Sequence, residues 1–340
     1  MQLLITILAF AFSFTLATLF HEAGHMIAGR ASHTATEEFG LGFGKTLWSR
    51  KRGATTFKIN ALPILAYVKI KGMESNYDAP DGFYTKGWWA RLFTMVGGML
   101  GNLLLAFVIF AIVFSTLGDP RASTVVGTVT PGSRAEAAQL QAGDNILSIG
   151  GAPMKDFTQI SETIRANEGK QIAIAVDRHG VSTTILVTPA LDATLGYVAI
   201  GYGPGFVRYN PFKAVWKALT FTGEYIWTYL KALPLLFTKR GVQSLMGPIG
   251  IARMTGEAAM GGFMSLLWLT GIISVAIGLT QLLPLPALDG GWVLFLLLEA
   301  ITRRRIPPER QGTIQSIGLF VLLGLMFIVS IRDITGIFAR

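Results

Sequence analysis

The chain has 340 residues, 51% of them hydrophobic and only 14% charged, against about a quarter charged in ordinary soluble domains. That excludes a simple soluble enzyme and a disordered chain, and leaves a polytopic membrane protein with room for one soluble domain. The net charge of +9 gathers in no single tract and falls largely beside apolar stretches, so no nucleic-acid partner is expected, and the lack of cysteine excludes disulfides and thiolate metal sites.

Residues 2 to about 29 read as a first membrane span, uncharged from Leu3 to Leu19. The start carries no positive charge and the apolar run leads into Phe20-His21-Glu22-Ala23-Gly24-His25-Met26 with no small-residue cleavage site, so a retained helix is expected. His21 and His25, four apart, share one helix face and can reach one metal ion. Glu22 stands where a His-Glu-x-x-His enzyme places its general base. A polar packing seam is the plainer alternative, but ionisable groups inside apolar helices are costly and rarely idle.

Residues 30 to 91 carry ten Lys and Arg against five acids, which predicts a cytoplasmic loop and an N-terminus outside. Phe39 to Gly44, Thr55 to Asn60 and Ala66 to Ile70 read as short β-strands joined by turns. A second span is expected over 93 to 117, with Gly97-Gly98-x-x-Gly101 as a close packing surface. Asn102 within it suits either an interhelical hydrogen bond or a place near an active site.

From 121 to 191 the pattern turns soluble. A strand is expected at 125–129, short helices at 133–140 and 157–167, and strands at 172–176 and 183–187 around a His179-Gly180 turn. This order resembles a PDZ domain, which binds peptide ligands by strand addition. Residues 205–262 read as an interfacial amphipathic helix, rich in aromatics and lysines, followed by a linker. The second membrane half, 263–340, is broken by Leu283-Pro284-Leu285-Pro286-Ala287-Leu288-Asp289-Gly290-Gly291. Such irregular backbone at membrane depth belongs where it lines a protein cavity. Arg303 to Arg305 mark a second cytoplasmic loop, and the last span is expected over 313 to about 331. Three acids compete as third metal ligand. Glu299 is expected at the interface and Asp333 in a surface ion pair with Arg332, which leaves Asp289.

Taken together, these residues resemble the site-2 proteases, zinc intramembrane metalloproteases, and most closely their bacterial RseP-like branch. The resemblance rests on His21-Glu22-x-x-His25, the Phe39 to Gly44 glycine pattern, Asn102, the PDZ-like order, Gly247-Pro248-Ile249-Gly250 and Leu288-Asp289-Gly290. It implies about four transmembrane helices, a membrane-associated β-hairpin region and one inserted PDZ domain. The implied domains are 1–117, 121–191, 205–262 and 263–340. It implies a Zn2+ site of His21, His25 and Asp289, with Glu22 as catalytic acid/base. Asn102, Gln281, Ala66, Tyr67 and Val68 are the implied substrate-binding residues. The implied substrates are single-span membrane proteins, such as anti-sigma factors or remnant signal peptides, cut in regulated intramembrane proteolysis. The implied location is the bacterial inner membrane, in contact with the lipid bilayer, with the PDZ domain periplasmic and able to take a peptide ligand. The competing reading is a catalytically weak or inactive membrane adaptor that binds single-span partners through its PDZ domain. A transporter would want internal repeats, which the sequence lacks.

Overall fold

A computed structural model describes residues 1–192, 197–238 and 246–338. The chain divides into two compact units, Met1–Phe110 with Val215–Arg340, and Ala111–Ala214. Part of the expected linker, 239–245, lies outside the described residues.

The first unit begins with α1 (Gln2–Ala31), whose buried stripe runs Ala9, Ser13, Ala17, His21, His25 and Ala28. Leu3, Leu4, Ile7 and Leu8 point outward. This is the reverse of a soluble helix: small and polar residues face the protein, and large apolar ones face out, where lipid accepts them. Two long strands follow, β1 (Thr36–Arg52) and β2 (Thr55–Ile70). They bend and pair more than once. Arg52 to Thr46 run opposite Thr55 to Asn60 as a hairpin, while Glu38 to Leu41 lie between two neighbours, Thr56 to Ile59 on one side and Lys69 to Ala66 on the other. Segment 66–70 is therefore one edge of the sheet. Gly40 is opposite Tyr67, and a Cβ there would stand 2.2 Å from the Tyr67 ring, so the cross-strand position demands glycine.

Helix α2 (Trp88–Thr116) crosses α1 at van der Waals distance between backbones. A Cβ on Gly24 would lie 2.1 Å from the Gly97 carbonyl oxygen, and one on Gly101 would lie 2.1 Å from that of Phe20. Near its start, the wholly buried Arg91 forms a two-pronged ion pair with Glu299, at 2.9 and 2.6 Å.

The second unit holds β3 (Val126–Val129), α3 (Arg134–Ala137), β4 (Asn145–Ile149), β5 (Ala152–Pro153), α4 (Phe157–Ala166), β6 (Ile172–Arg178), β7 (Val181–Val187), β8 (Ala190–Asp192), β9 (Tyr197–Ala199) and β10 (Tyr202–Pro204). The main sheet runs β5-β4-β6-β7, and β10 pairs with β3. Inward residues alternate along β6, where Ile172, Ile174 and Val176 meet Ile160 and Ile164 of α4. His179 (φ +53°) and Gly180 (φ +85°) make the tight turn between β6 and β7. The unit runs further than the expected 121–191, because 202–204 returns to close the β3 edge.

The remaining helices complete the first unit: the rest of α5 (Pro211–Ala232), then α6 (Pro248–Met260), α7 (Phe263–Gln281), α8 (Asp289–Thr302) and α9 (Pro308–Phe338). Among the described residues, four helices are long and apolar enough to cross a membrane, at Gln2–Ala31, Trp88–Thr116, Phe263–Gln281 and Pro308–Asp333. Helix α8, with 14 residues, covers about 21 Å at 1.5 Å per residue, short of a roughly 30 Å hydrocarbon core. Asp333 does not lie idle at the surface: its Oδ2 accepts the Gly250 amide at 2.9 Å, in the first turn of α6. A Cβ on Gly250 would crowd that oxygen at 3.1 Å, which accounts for the glycine.

Arg178 holds Asp144 in the second unit through Nε and Nη2 at 2.7 and 2.6 Å, and this pairing keeps the carboxyl below its usual range. A depressed carboxyl pKa stabilises the folded form above about pH 4 and loses that effect as pH falls through the folded-state value. Arg178→Met is accordingly expected to lower the thermal stability of this unit at pH 7, and the gap from wild type should close as pH drops below about 4. Thermal unfolding followed across a pH series measures it.

Candidate active site

Three side chains converge where α1, α2 and the start of α8 meet. His21 Nε2 and Asp289 Oδ2 are 3.0 Å apart, His25 Nε2 and Asp289 Oδ2 3.1 Å, and the two Nε2 atoms 3.2 Å. Both histidines are buried. The i, i+4 spacing on α1 aligns the imidazoles, and the chain break at 282–288 lets Asp289 begin a new helix aimed at them.

The surroundings fix how each ring presents itself. His25 Nδ1 lies 2.8 Å from the Thr94 carbonyl oxygen, so the ring proton sits on Nδ1 and the Nε2 lone pair faces the cluster. His21 Nδ1 is 3.3 Å from the side-chain amide of Asn102. Asn102 is fully buried, and Ser274 Oγ donates to its backbone carbonyl at 2.9 Å. Asn102 thus makes an interhelical bond and touches the cluster at once. Orienting the His21 lone pair inward requires the Asn102 carbonyl oxygen to face Nδ1.

The donor set tests the fit to a metal. Two imidazole nitrogens and a carboxylate oxygen crowd within hydrogen-bond distance, yet the His25 proton is already spent on Thr94. Converging lone pairs repel unless a cation lies among them. Zinc bonds of about 2.0–2.1 Å at tetrahedral angles set donors about 3.3 Å apart, near the observed separations. His21, His25 and Asp289 therefore fit Zn2+.

Gly98 leaves the space in which the cluster sits. A Cβ there would lie 2.4 Å from His25 Nε2 and 2.6 Å from the His21 ring. The Asp289 turn is held from the last helix. Ala287, in the left-handed region at φ +76°, donates its amide to Gln315 Oε1, and Gly318, three residues on, packs against Pro286. Gln315 is buried within an apolar helix, and that position was its only signal in the sequence.

The other expected residues fall as follows. Glu22, beside His21, is half-buried. Ala66, Tyr67 and Val68 lie on the 66–70 edge facing α1, where Thr18 Oγ1 accepts the Ala66 amide at 3.1 Å. The Tyr67 ring lies over Gly40. Gln281 ends α7, half-buried, with no side-chain hydrogen bond among the described residues. Glu299 is bound to Arg91 and takes no part in the cluster.

The second unit has a cleft of about 470 Å³ between α4 and β10, lined by Thr128, Phe157, Ser161, Arg165, Ile200 and Tyr202. Strand β10 pairs only with β3 among the described residues, so its outer edge is open to a peptide strand.

The model of Peptidase family M50 matches residues 9–325. A protein of Clostridium acetobutylicum is 32% identical over 335 residues, spanning 98% of this chain and 97% of that relative. "Zinc metalloprotease RasP" of Geobacillus kaustophilus is 27% identical, covering 98% of both chains. RasP of Bacillus licheniformis is 28% identical, over 98% of this chain and 99% of that one. A solved PDZ domain of the SdrC-like protein from Listeria monocytogenes aligns with 24% of this chain and 85% of its own length, at 22% identity and a TM-score of 0.22.

Gly98→Ala and Gln315→Leu are expected to weaken zinc retention at least tenfold, the first by blocking the histidines and the second by freeing the Asp289 turn. Zinc content after dialysis against graded chelator checks both.

Proposed function

This chain belongs to Peptidase family M50, the site-2 proteases, and is a zinc metalloprotease; from that premise we propose that it cuts the transmembrane segments of single-span proteins inside the bacterial inner membrane. The convergence of His21, His25 and Asp289 beside Glu22 carries the reading.

In this proposal His21, His25 and Asp289 hold the metal, Asn102 and the Thr94 carbonyl orient the two rings, and Gln315 steadies the carboxylate. Zinc in that position supplies Lewis acidity to the scissile carbonyl and lowers the pKa of water. Glu22 accepts the proton of the attacking water and delivers it to the leaving amine. Its position one residue from a ligand keeps both transfers within a single side chain's reach.

A helical substrate hides its carbonyls in its own hydrogen bonds and must unwind to be cut. Segment 66–70 offers an edge on which the unwound stretch can pair, with Ala66, Tyr67 and Val68 as contacts. Gln281, whose amide has no partner among the described residues, is free to hold the substrate backbone. The second unit acts as a PDZ domain on the periplasmic side, takes a peptide at the β10 edge, and screens out substrates with intact outer domains. The basic 30–91 segment then lies toward the cytoplasm, the side from which water enters. Substrates of this kind are anti-sigma factors already trimmed outside, and leftover signal peptides. An adaptor would have no use for a carboxylate beside a three-donor metal site, so that reading is not favoured.

Glu22→Gln keeps shape and removes the base. Cleavage of a reconstituted single-span substrate should fall at least about a hundredfold while zinc content stays at the wild-type level. Equal cleavage by both proteins, with zinc present, would sink the assignment of Glu22.

A further inference from the structure

The edge at 65–70 is not bare. Leu65 donates its amide to Thr15 Oγ1 at 3.3 Å, and Ala66 donates to Thr18 Oγ1 at 3.1 Å. The two acceptors sit at 15 and 18 on α1, three apart, and so share one face of the helix. The order is the same on both elements: 15 meets 65 and 18 meets 66.

The spacing has a simple origin. Three helical residues rise about 4.5 Å, and one strand residue rises about 3.4 Å. An i, i+3 pair of hydroxyls on one helix face can therefore serve two adjacent amides of a neighbouring strand, provided both amides point toward the helix. Adjacent amides point the same way only where the pleat is broken, and Leu65 breaks it at φ +67°. The Thr18 hydroxyl gives its proton to Phe14 O at 2.9 Å, which leaves its lone pairs for Ala66. The helix face thus presents a row of acceptors where a neighbouring strand would present carbonyls.

We propose that Thr15 and Thr18 are placeholders for the substrate backbone. They satisfy the amides of Leu65 and Ala66 in the free enzyme, and an incoming substrate strand displaces them by supplying its own carbonyls between α1 and the edge. Without the placeholders, two amides would face an apolar surrounding unpaired, and the edge would be open to any passing segment. The proposal rests on the strand-addition reading above, and it adds a specificity rule: a segment that cannot leave its helix has no carbonyls to offer and cannot displace the threonines.

The test uses the full chain with zinc in detergent micelles. The probe is a synthetic single-span peptide of about 20 leucine and alanine residues with a central glycine pair. The Thr15→Val/Thr18→Val variant should lower KM about fivefold, roughly the effect of one net hydrogen bond no longer broken on binding. The Thr15→Ser/Thr18→Ser variant should restore the wild-type KM. Amide hydrogen exchange over 65–68, which needs no turnover, should be faster in the free valine variant than in wild type, and the peptide should slow it in both. A raised or unchanged KM in the valine variant overturns the proposal, as does a peptide that leaves exchange over 65–68 unchanged in wild type. Wild-type protein that protects 65–68 on adding peptide yet never cleaves it would support the placeholder and overturn the protease reading instead.

Discussion

The backbone contact between α1 and α2 governs the rest. Gly24 of α1 and Gly97 and Gly101 of α2 bring the helices closer than any side chain would allow, since a Cβ on Gly24 or Gly101 would fall 2.1 Å from a carbonyl oxygen. This proximity places Thr94 and Asn102 against the outer nitrogens of His25 and His21, and it leaves Gly98 as the floor of the cluster. A wider crossing would still permit two histidines on one helix face, but the rings would be free to rotate. In a membrane the helices gain little from the hydrophobic effect on meeting, so this contact rests on packing and on the hydrogen bonds that cross it.

Asp289, the third proposed ligand, is organised differently. Asp289 belongs to a short helix that begins after an irregular turn, and the turn is bonded to Gln315 and packed under Gly318 from the last span. At its far end the same helix is pinned by the Arg91–Glu299 pair, and Trp88 donates to Leu296 O at 2.6 Å. Each end of α8 is thus tied to a different neighbour. Breaking the Arg91–Glu299 pair would leave a buried charge uncompensated, at a cost of about 3–5 kcal/mol. A helix too short to span is fixed by these bonds at both ends, with its carboxylate held against the two histidines.

Much of this was legible in the sequence because chemistry and periodicity coincide there. His21, Glu22 and His25 stand out as ionisable residues in an uncharged run, and Asp289 stands out beside prolines and glycines that cannot continue a helix. The four long apolar helices appear where hydropathy put them, and the alternating apolar pattern of 172–187 became β6 and β7. Other features were not legible, for a common reason. The Thr94 carbonyl has no side-chain signature, and Gln315, Thr15 and Thr18 look like ordinary polar residues on apolar helices until their partners are known. Those partners lie 28 residues away for Gln315 and about 50 away for the threonines, and no local rule reaches so far. The sheet had the same difficulty: three short strands were readable, but not that 38–41 would be paired on both sides.

The polar groups in this bundle follow one economy. Ser13 meets Thr270 at 2.9 Å, Ser274 meets Asn102, Tyr229 meets Thr280 at 2.5 Å, and Asp333 meets the first turn of α6. Each bond joins two different elements, because a polar group unmatched in an apolar medium costs several kcal/mol, about the size of a folding margin. The same rule constrains the catalytic face. On the proposed reading, the edge offered to substrate must be satisfied before the substrate arrives, and by groups weak enough to be displaced. Hydroxyls meet that need better than a permanent strand, since a neutral acceptor can be exchanged for a carbonyl at nearly equal energy. Threonine at two positions of the helix that carries His21, Glu22 and His25 therefore ties the edge of the sheet to that helix.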